Sequence, residues 1–203
     1  MARPVLKQPT TMRRARGFTL VELMVVVAII GVLAALAIYG LRKYQLSAGT
    51  SEATAMLQSI RGAEEAWRAE NLAYGGCTNG GAAPVTTMSL GVNDLYPRPL
   101  AGINDKKIQW GAVTTNMGLC FRALGIKSDG PVRFSYGVMA GNPGTAANLT
   151  LPDTWQKPPP NIPSPREPWY VGVAYGNRDN DALYARLSTS SLMNEVYVED
   201  DTE

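Results

Sequence analysis

Glu22 is the only charged side chain among the 24 residues from Phe18 to Leu41, in an otherwise apolar run. As a helix rising about 1.5 Å per residue, that run measures roughly 36 Å, enough to cross a bilayer. A carboxylate held in lipid costs about 2.5–3.5 kcal/mol near the bilayer centre and less near an end. An acid kept at such a place calls for a partner that neutralises it. Two other sets of residues carry chemistry. Cys77 and Cys120 are the only cysteines. Asn177-Arg-Asp179-Asn-Asp181 sets oxygen side chains at alternate positions, a spacing that suits a hard cation such as Ca²⁺, with Glu195 or Asp200 available to complete the shell. That segment departs from an EF-hand loop, with Ala182 at the turn glycine and Ser188 at the bidentate glutamate. It reads equally as a polar hairpin, because Asn and Gly favour turns.

The protein has no histidine. Ser-His-Asp and Cys-His catalysis are excluded, and the commonest zinc ligand is missing. No nucleophile–base set and no paired carboxylates stand out, so the sequence does not read as an enzyme.

Charge orients the apolar run. Residues 1–16 carry Arg3, Lys7, Arg13, Arg14 and Arg16 and no acid, whereas only Arg42 and Lys43 follow the run directly. The positive-inside rule keeps the N-terminus cytoplasmic and exports the remainder. The net charge of +2 comes from that leader; without it, 14 basic face 17 acidic side chains, a net of −3. The exported part is thus no basic nucleic-acid binder. In an exported domain an even pair of cysteines reads as a Cys77–Cys120 disulfide, against the alternative of two buried free thiols.

These residues must be positioned by a long element. Beyond Lys43 the apolar residues Ala53, Met56, Leu57, Ile60, Ala63 and Trp67 recur in steps of three and four, the stripe of an amphipathic helix. Gly75-Gly76 ends the pattern. One helix is expected from about Phe18 to Asn71, roughly 80 Å long, with local softening around Gly31 to Gly40. Residues 75–130 have weak strand or short-helix character. Segments 132–140, 169–175, 182–188 and 194–200 alternate aromatic and β-branched residues and predict half-buried antiparallel strands. The proline-rich stretch 152–168 predicts an exposed loop. The expected organisation is a leader (1–17), an apolar transmembrane helix (18–41), its amphipathic continuation (42–74) and an α+β head (75–203). A long helix whose distal half packs on a small antiparallel sheet is a lollipop.

The segment around Glu22 admits three readings. Ala35-Leu-Ala37 can be the A-x-A cleavage site of a secretory signal, although the apolar region is long for one. Thr19-Leu-Val-Glu22 can be a capping box in a plain signal anchor. The third comes from a family. The stretch RRARGFTLVELMVVVAIIGVLAALAIYGLRKY resembles the class III leader and N-terminal helix of type IV pilins and their pseudopilin relatives. The resemblance covers about 30 residues.

That resemblance implies cutting between Gly17 and Phe18 by prepilin peptidase, then N-methylation of Phe18. It implies polymerisation into a helical homo-oligomeric filament with the apolar helices bundled inside. Before assembly the protein would be a single-pass inner-membrane protein engaged by an assembly platform; afterwards it would be an extracellular or periplasmic filament. No cofactor is implied for a pilin. A type II secretion pseudopilin is the alternative within the family, and major pseudopilins bind calcium in their C-terminal region, which would use Asp179 and Asp181. A membrane-anchored binding protein or adhesin that never polymerises is the alternative outside it. Cutting at Gly17 creates an ammonium at Phe18, about 6 Å along the helix from Glu22. In a staggered bundle the Glu22 carboxylate of one subunit can meet the ammonium of another, which makes it a docking device. Ala28, Gly31, Ala34 and Ala35 are small enough for helices to approach closely. Two features depart from the family. Tyr39 stands where type IVa pilins usually carry proline, and the cysteines lie far from the C-terminal segment that usually holds the disulfide. Bridging them closes a loop of about 40 residues, worth roughly 4 kcal/mol in the chain-entropy model.

Overall fold

Strong helix formers and the absence of proline carry α1 from Leu20 to Asn71, through Gly31, Gly40, Gly49 and Gly62. The computed structural model describes residues 17–86, 89–111, 115–146, 148–150, 165–177 and 183–199. The remaining elements are β1 (Ser89–Gly91), α2 (Asn116–Ala123), β2 (Ser135–Gly141), β3 (Asn148–Thr150), β4 (Trp169–Gly176), β5 (Ala185–Ser190) and β6 (Tyr197–Glu199), with one 3-10 turn at Leu100–Gly102. The fold class is α+β, as expected. The protein divides into two compact units, one reaching to Arg42 and the other Lys43–Glu203.

In the first unit the large apolar side chains of α1, from Leu20 to Leu41, are all exposed. In the second, residues 43–71 of α1 bury the predicted stripe. Ala53, Met56, Leu57 and Ile60 share one core with Tyr136, Val138, Ala140, Tyr170, Ala174, Ala185 and Leu187 of the sheet. Contact is close enough that a Cβ on Gly172 of β4 would lie 3.4 Å from Ile60 Cγ2. The helix ends at Asn71, where the sequence places its end. Leu72 adopts the left-handed conformation usual for a residue just past a helix end, with φ 59°, and donates its N–H to Arg68 O at 2.8 Å.

The main sheet is antiparallel with order β2-β4-β5-β6. Its register pairs Val138 with Gly172 and Ala174 with Leu187 on the helix side. The predicted strands are present with ends shifted by up to three residues. Their burial differs from the expectation: β2, β4 and β5 are buried on both faces. Met139, Trp169, Val171, Val173 and Tyr175 face away from α1 and form a second core with Leu90, Leu95 and Ile103. The glycines of β2 are sites of close approach. A Cβ on Gly137 would sit 2.9 Å from Leu90 Cδ2, and one on Gly141 would overlap the Trp169 indole. β1 and β3 pair in parallel, outside the main sheet.

Segment 75–130, which the sequence leaves weakly defined, is organised by side-chain bonds. Thr115 caps α2 by accepting from Gly118 N at 3.1 Å. Gly125 follows α2 with φ 79°, and Ile126 N donates to Phe121 O. Cys77 N donates to Val138 O on the free edge of β2, and the Cys77–Cys120 disulfide, spanning 43 residues, fastens that edge segment to α2. The buried Arg98 guanidinium donates to Gly102 O, Asn104 Oδ1 and Lys106 O, closing the loop after it.

Candidate functional site: the N-terminal segment of the first helix

Gly17, Phe18 and Thr19 precede α1 outside any helix or strand, and Phe18 is 90% exposed. A Cβ on Gly17 would meet nothing within 4 Å, so the Gly17–Phe18 peptide bond stands clear of the structure described around it. A helix that starts in solvent or lipid leaves its first N–H groups without partners. Here Thr19 and Glu22 supply them reciprocally. Thr19 N donates to Glu22 Oε2 at 2.8 Å, Thr19 Oγ1 donates to the same oxygen at 2.9 Å, and Glu22 N donates to Thr19 Oγ1 at 3.2 Å. This is the capping box that the spacing allows. It concentrates the contacts on one carboxylate oxygen. Among the described residues, Glu22 Oε1 makes no bond, so the carboxylate keeps an acceptor face for a further donor.

The first turn thus brings Phe18, Thr19 and Glu22 together, with Gly17 at its mouth. Thr19 enters the sequence reading as part of a competing explanation, yet its hydroxyl fixes where the carboxylate points. The signal was the Thr-x-x-Glu spacing itself. Ala28, Gly31 and Ala35 fall within roughly 60° of one another around the helix, while Ala34 lies further round. All four are exposed, and a Cβ on Gly31 would meet nothing within 4 Å. They form a shallow lane on an apolar cylinder.

The other predicted sites lie elsewhere. Cys77 and Cys120 are fully buried and bonded to one another. Asp179, Asp181 and Asp200 lie outside the described residues, as does most of the proline-rich stretch 152–168. Among the described residues, no three His, Cys, Asp or Glu residues group together to hold a metal. Glu64 was missed. It occupies the buried stripe of α1, four residues after Ile60, and is fully buried. Its Oε2 accepts from Gly75 N at 2.9 Å. Burial, opposed by the Gly75 hydrogen bond and helped by neighbouring Glu65, pushes its pKa up to about 8.

Comparison with known proteins points the same way as this geometry. Residues 12–38 match the family described as the prokaryotic N-terminal methylation motif. The sequence is 46% identical over 66 residues to the type IV major pilin protein PilA of Myxococcus xanthus (strain DK1622), covering 32% of this chain and 30% of that protein. It is 42% identical over 92 residues to the type IV major fimbrial protein FimA of Dichelobacter nodosus, covering 43% of this chain and 51% of that protein. The match therefore spans about a third and about half of the lengths of these relatives. No solved structure matches it. A methylation motif over the capped first turn and two partly matching pilins, beside a long apolar helix and an antiparallel sheet, make this chain similar to type IV pilins, most clearly in its N-terminal segment.

Proposed function

We propose that this protein is the structural subunit of a type IV pilus-like filament and performs no catalysis. Prepilin peptidase cuts it after Gly17, Phe18 becomes an N-methylated terminus, and subunits polymerise through α1. The observation that carries this reading is the pairing of a lone carboxylate with an exposed junction. Glu22 is the only charge on an apolar helix segment exposed throughout, and it sits within one turn of Gly17–Phe18. A surface of that kind in water or lipid gains by bundling with copies of itself. Small residues permit close approach, and a charge pair formed only on docking sets the register. Before assembly the same helix anchors the protein in the inner membrane with its basic leader cytoplasmic. The pseudopilin alternative draws on Asp179 and Asp181, and no described residue favours it.

Mass spectrometry of the protein recovered from its own cells tests the processing step. The expected polypeptide starts at N-methylated Phe18. One starting at Ile38 would establish a secretory signal, and one retaining residues 1–17 as a stable exported monomer would establish a non-polymerising anchor.

A further inference from the structure

Asn79 and Gly80 form the exposed tip of a turn that follows the disulfide cysteine Cys77, and Gly81 N closes it by donating to Thr78 O at 3.3 Å. The Asn79 backbone is fixed on both sides. Its N–H donates to Asp94 Oδ1 at 2.7 Å, and its carbonyl accepts from Asn116 Nδ2 at 3.0 Å. The two groups able to react with each other are left out of this scaffold. Among the described residues, no hydrogen bond engages the Asn79 carboxamide or the Gly80 N–H. Gly80 has no side chain to shield its nitrogen, and a Cβ there would find only Thr78 Oγ1, at 3.8 Å.

We infer that Asn79–Gly80 is a self-modifying site that converts a neutral amide into a carboxylate on the surface of the second unit. Solvent base removes the Gly80 amide proton, and the nitrogen attacks Asn79 Cγ. A ring bond forms between that nitrogen and Cγ, the bond from Cγ to Nδ2 breaks, and ammonia leaves after taking up a proton. Water then adds to either carbonyl of the cyclic imide, giving aspartate or isoaspartate at position 79. One water is consumed and one ammonia released, with no change of oxidation state.

The surroundings give the new charge a consequence. Asp94 uses Oδ1 for Asn79 N and Oδ2 for Gly91 N at 2.8 Å, so one carboxylate holds both this turn and the end of β1. A second carboxylate at position 79 adds like charge on the residue whose backbone N–H Asp94 holds. The isoaspartyl product also adds a backbone methylene within the loop that the Gly76–Val85 pairing closes, two residues after Cys77. Asn79 further lines a cavity of about 220 Å³ with Asn93, Leu95, Tyr96, Thr115 and Met117, so the charge arrives at its rim.

The test is peptide mapping of the full-length, detergent-solubilised protein after incubation in mildly alkaline water enriched in oxygen-18. The proposal predicts that amide-to-acid conversion concentrates at residue 79 with isoaspartate as a major product and one labelled oxygen incorporated. Gly80→Ala should slow the conversion sharply, and Asn79→Gln should abolish it, without loss of fold by circular dichroism. An Asn79 that stays intact in the folded protein while a denatured sample converts would overturn the proposal, because the fold would then be protecting the site. Equal conversion of Asn93 and Asn104, which are each followed by a residue with an amide N–H, would overturn it also.

Discussion

At the scale of single residues, two glutamates of α1 show how context divides one residue type into two roles. Glu22 is exposed and hydrogen-bonded to Thr19, so its charge remains available. Glu64 is sealed in the stripe that packs on the sheet, with one N–H from Gly75 as its hydrogen-bond donor and Oε1 without a partner. Its raised pKa means that the folded protein keeps a proton which the unfolded state releases from the usual value of 4.5 upward. Folding is therefore linked to proton uptake, and the stability Glu64 permits is full below 4.5 and falls as pH rises towards about 8. Glu64→Gln keeps an acceptor for Gly75 N–H and removes the ionisation. It should raise resistance to denaturant above neutral pH by on the order of a few kcal/mol, with little gain below pH 5, as read from tryptophan fluorescence across pH. A pH-independent difference between the two proteins would mean that Glu64 is not the titrating group. Sequence reasoning passed over Glu64 because a charged residue at a stripe position reads as a solvated edge; only the turn at Gly75 explains its burial.

At the scale of elements, the two-faced sheet makes its glycines structural. A Cβ on Gly141 overlaps the Trp169 indole, which is itself anchored by Nε1 donating to Thr145 O at 2.9 Å. Gly141→Ala should cost about 1–3 kcal/mol of the stability of this unit through overpacking. The same substitution at Gly62, where nothing lies within 4 Å, should be neutral or mildly stabilising; equal losses at both positions would contradict the packing. The disulfide belongs to this scale as well, since it ties the segment along the β2 edge to α2. Replacing both cysteines by serine should cost on the order of 2–5 kcal/mol in thermal or denaturant unfolding. α1 and the four main strands were legible because each carries a strong period over many residues. β1, β3 and the Arg98 loop were not. β1 and β3 are three-residue pieces joined across more than fifty residues, and the loop is held by guanidinium bonds to carbonyls, which leave no periodic trace. The covering of the second sheet face by Leu90, Leu95 and Ile103 was not foreseen. WYVGVAY was read as an alternating, half-buried strand, although it is apolar at every position, the mark of a strand buried on both sides.

At the scale of the whole molecule, the first turn of α1 holds both the observed cap and the proposed docking group. Thr19 and Glu22 were readable from four residues of sequence, and the geometry adds that one carboxylate oxygen is committed to the cap while the other has no partner among the described residues. Glutamine can accept from Thr19 and preserve the cap, but it has no charge for the ammonium at Phe18 of another subunit. The most direct measurement is therefore the yield of surface filaments from cells carrying Glu22→Gln as their only copy, with the processed protein followed in the inner membrane. The account predicts normal membrane insertion, normal cutting after Gly17, accumulation of processed monomer, and filaments lost or sharply reduced. Wild-type filament yield from the glutamine protein would contradict it, leaving Glu22 as a helix cap and nothing more.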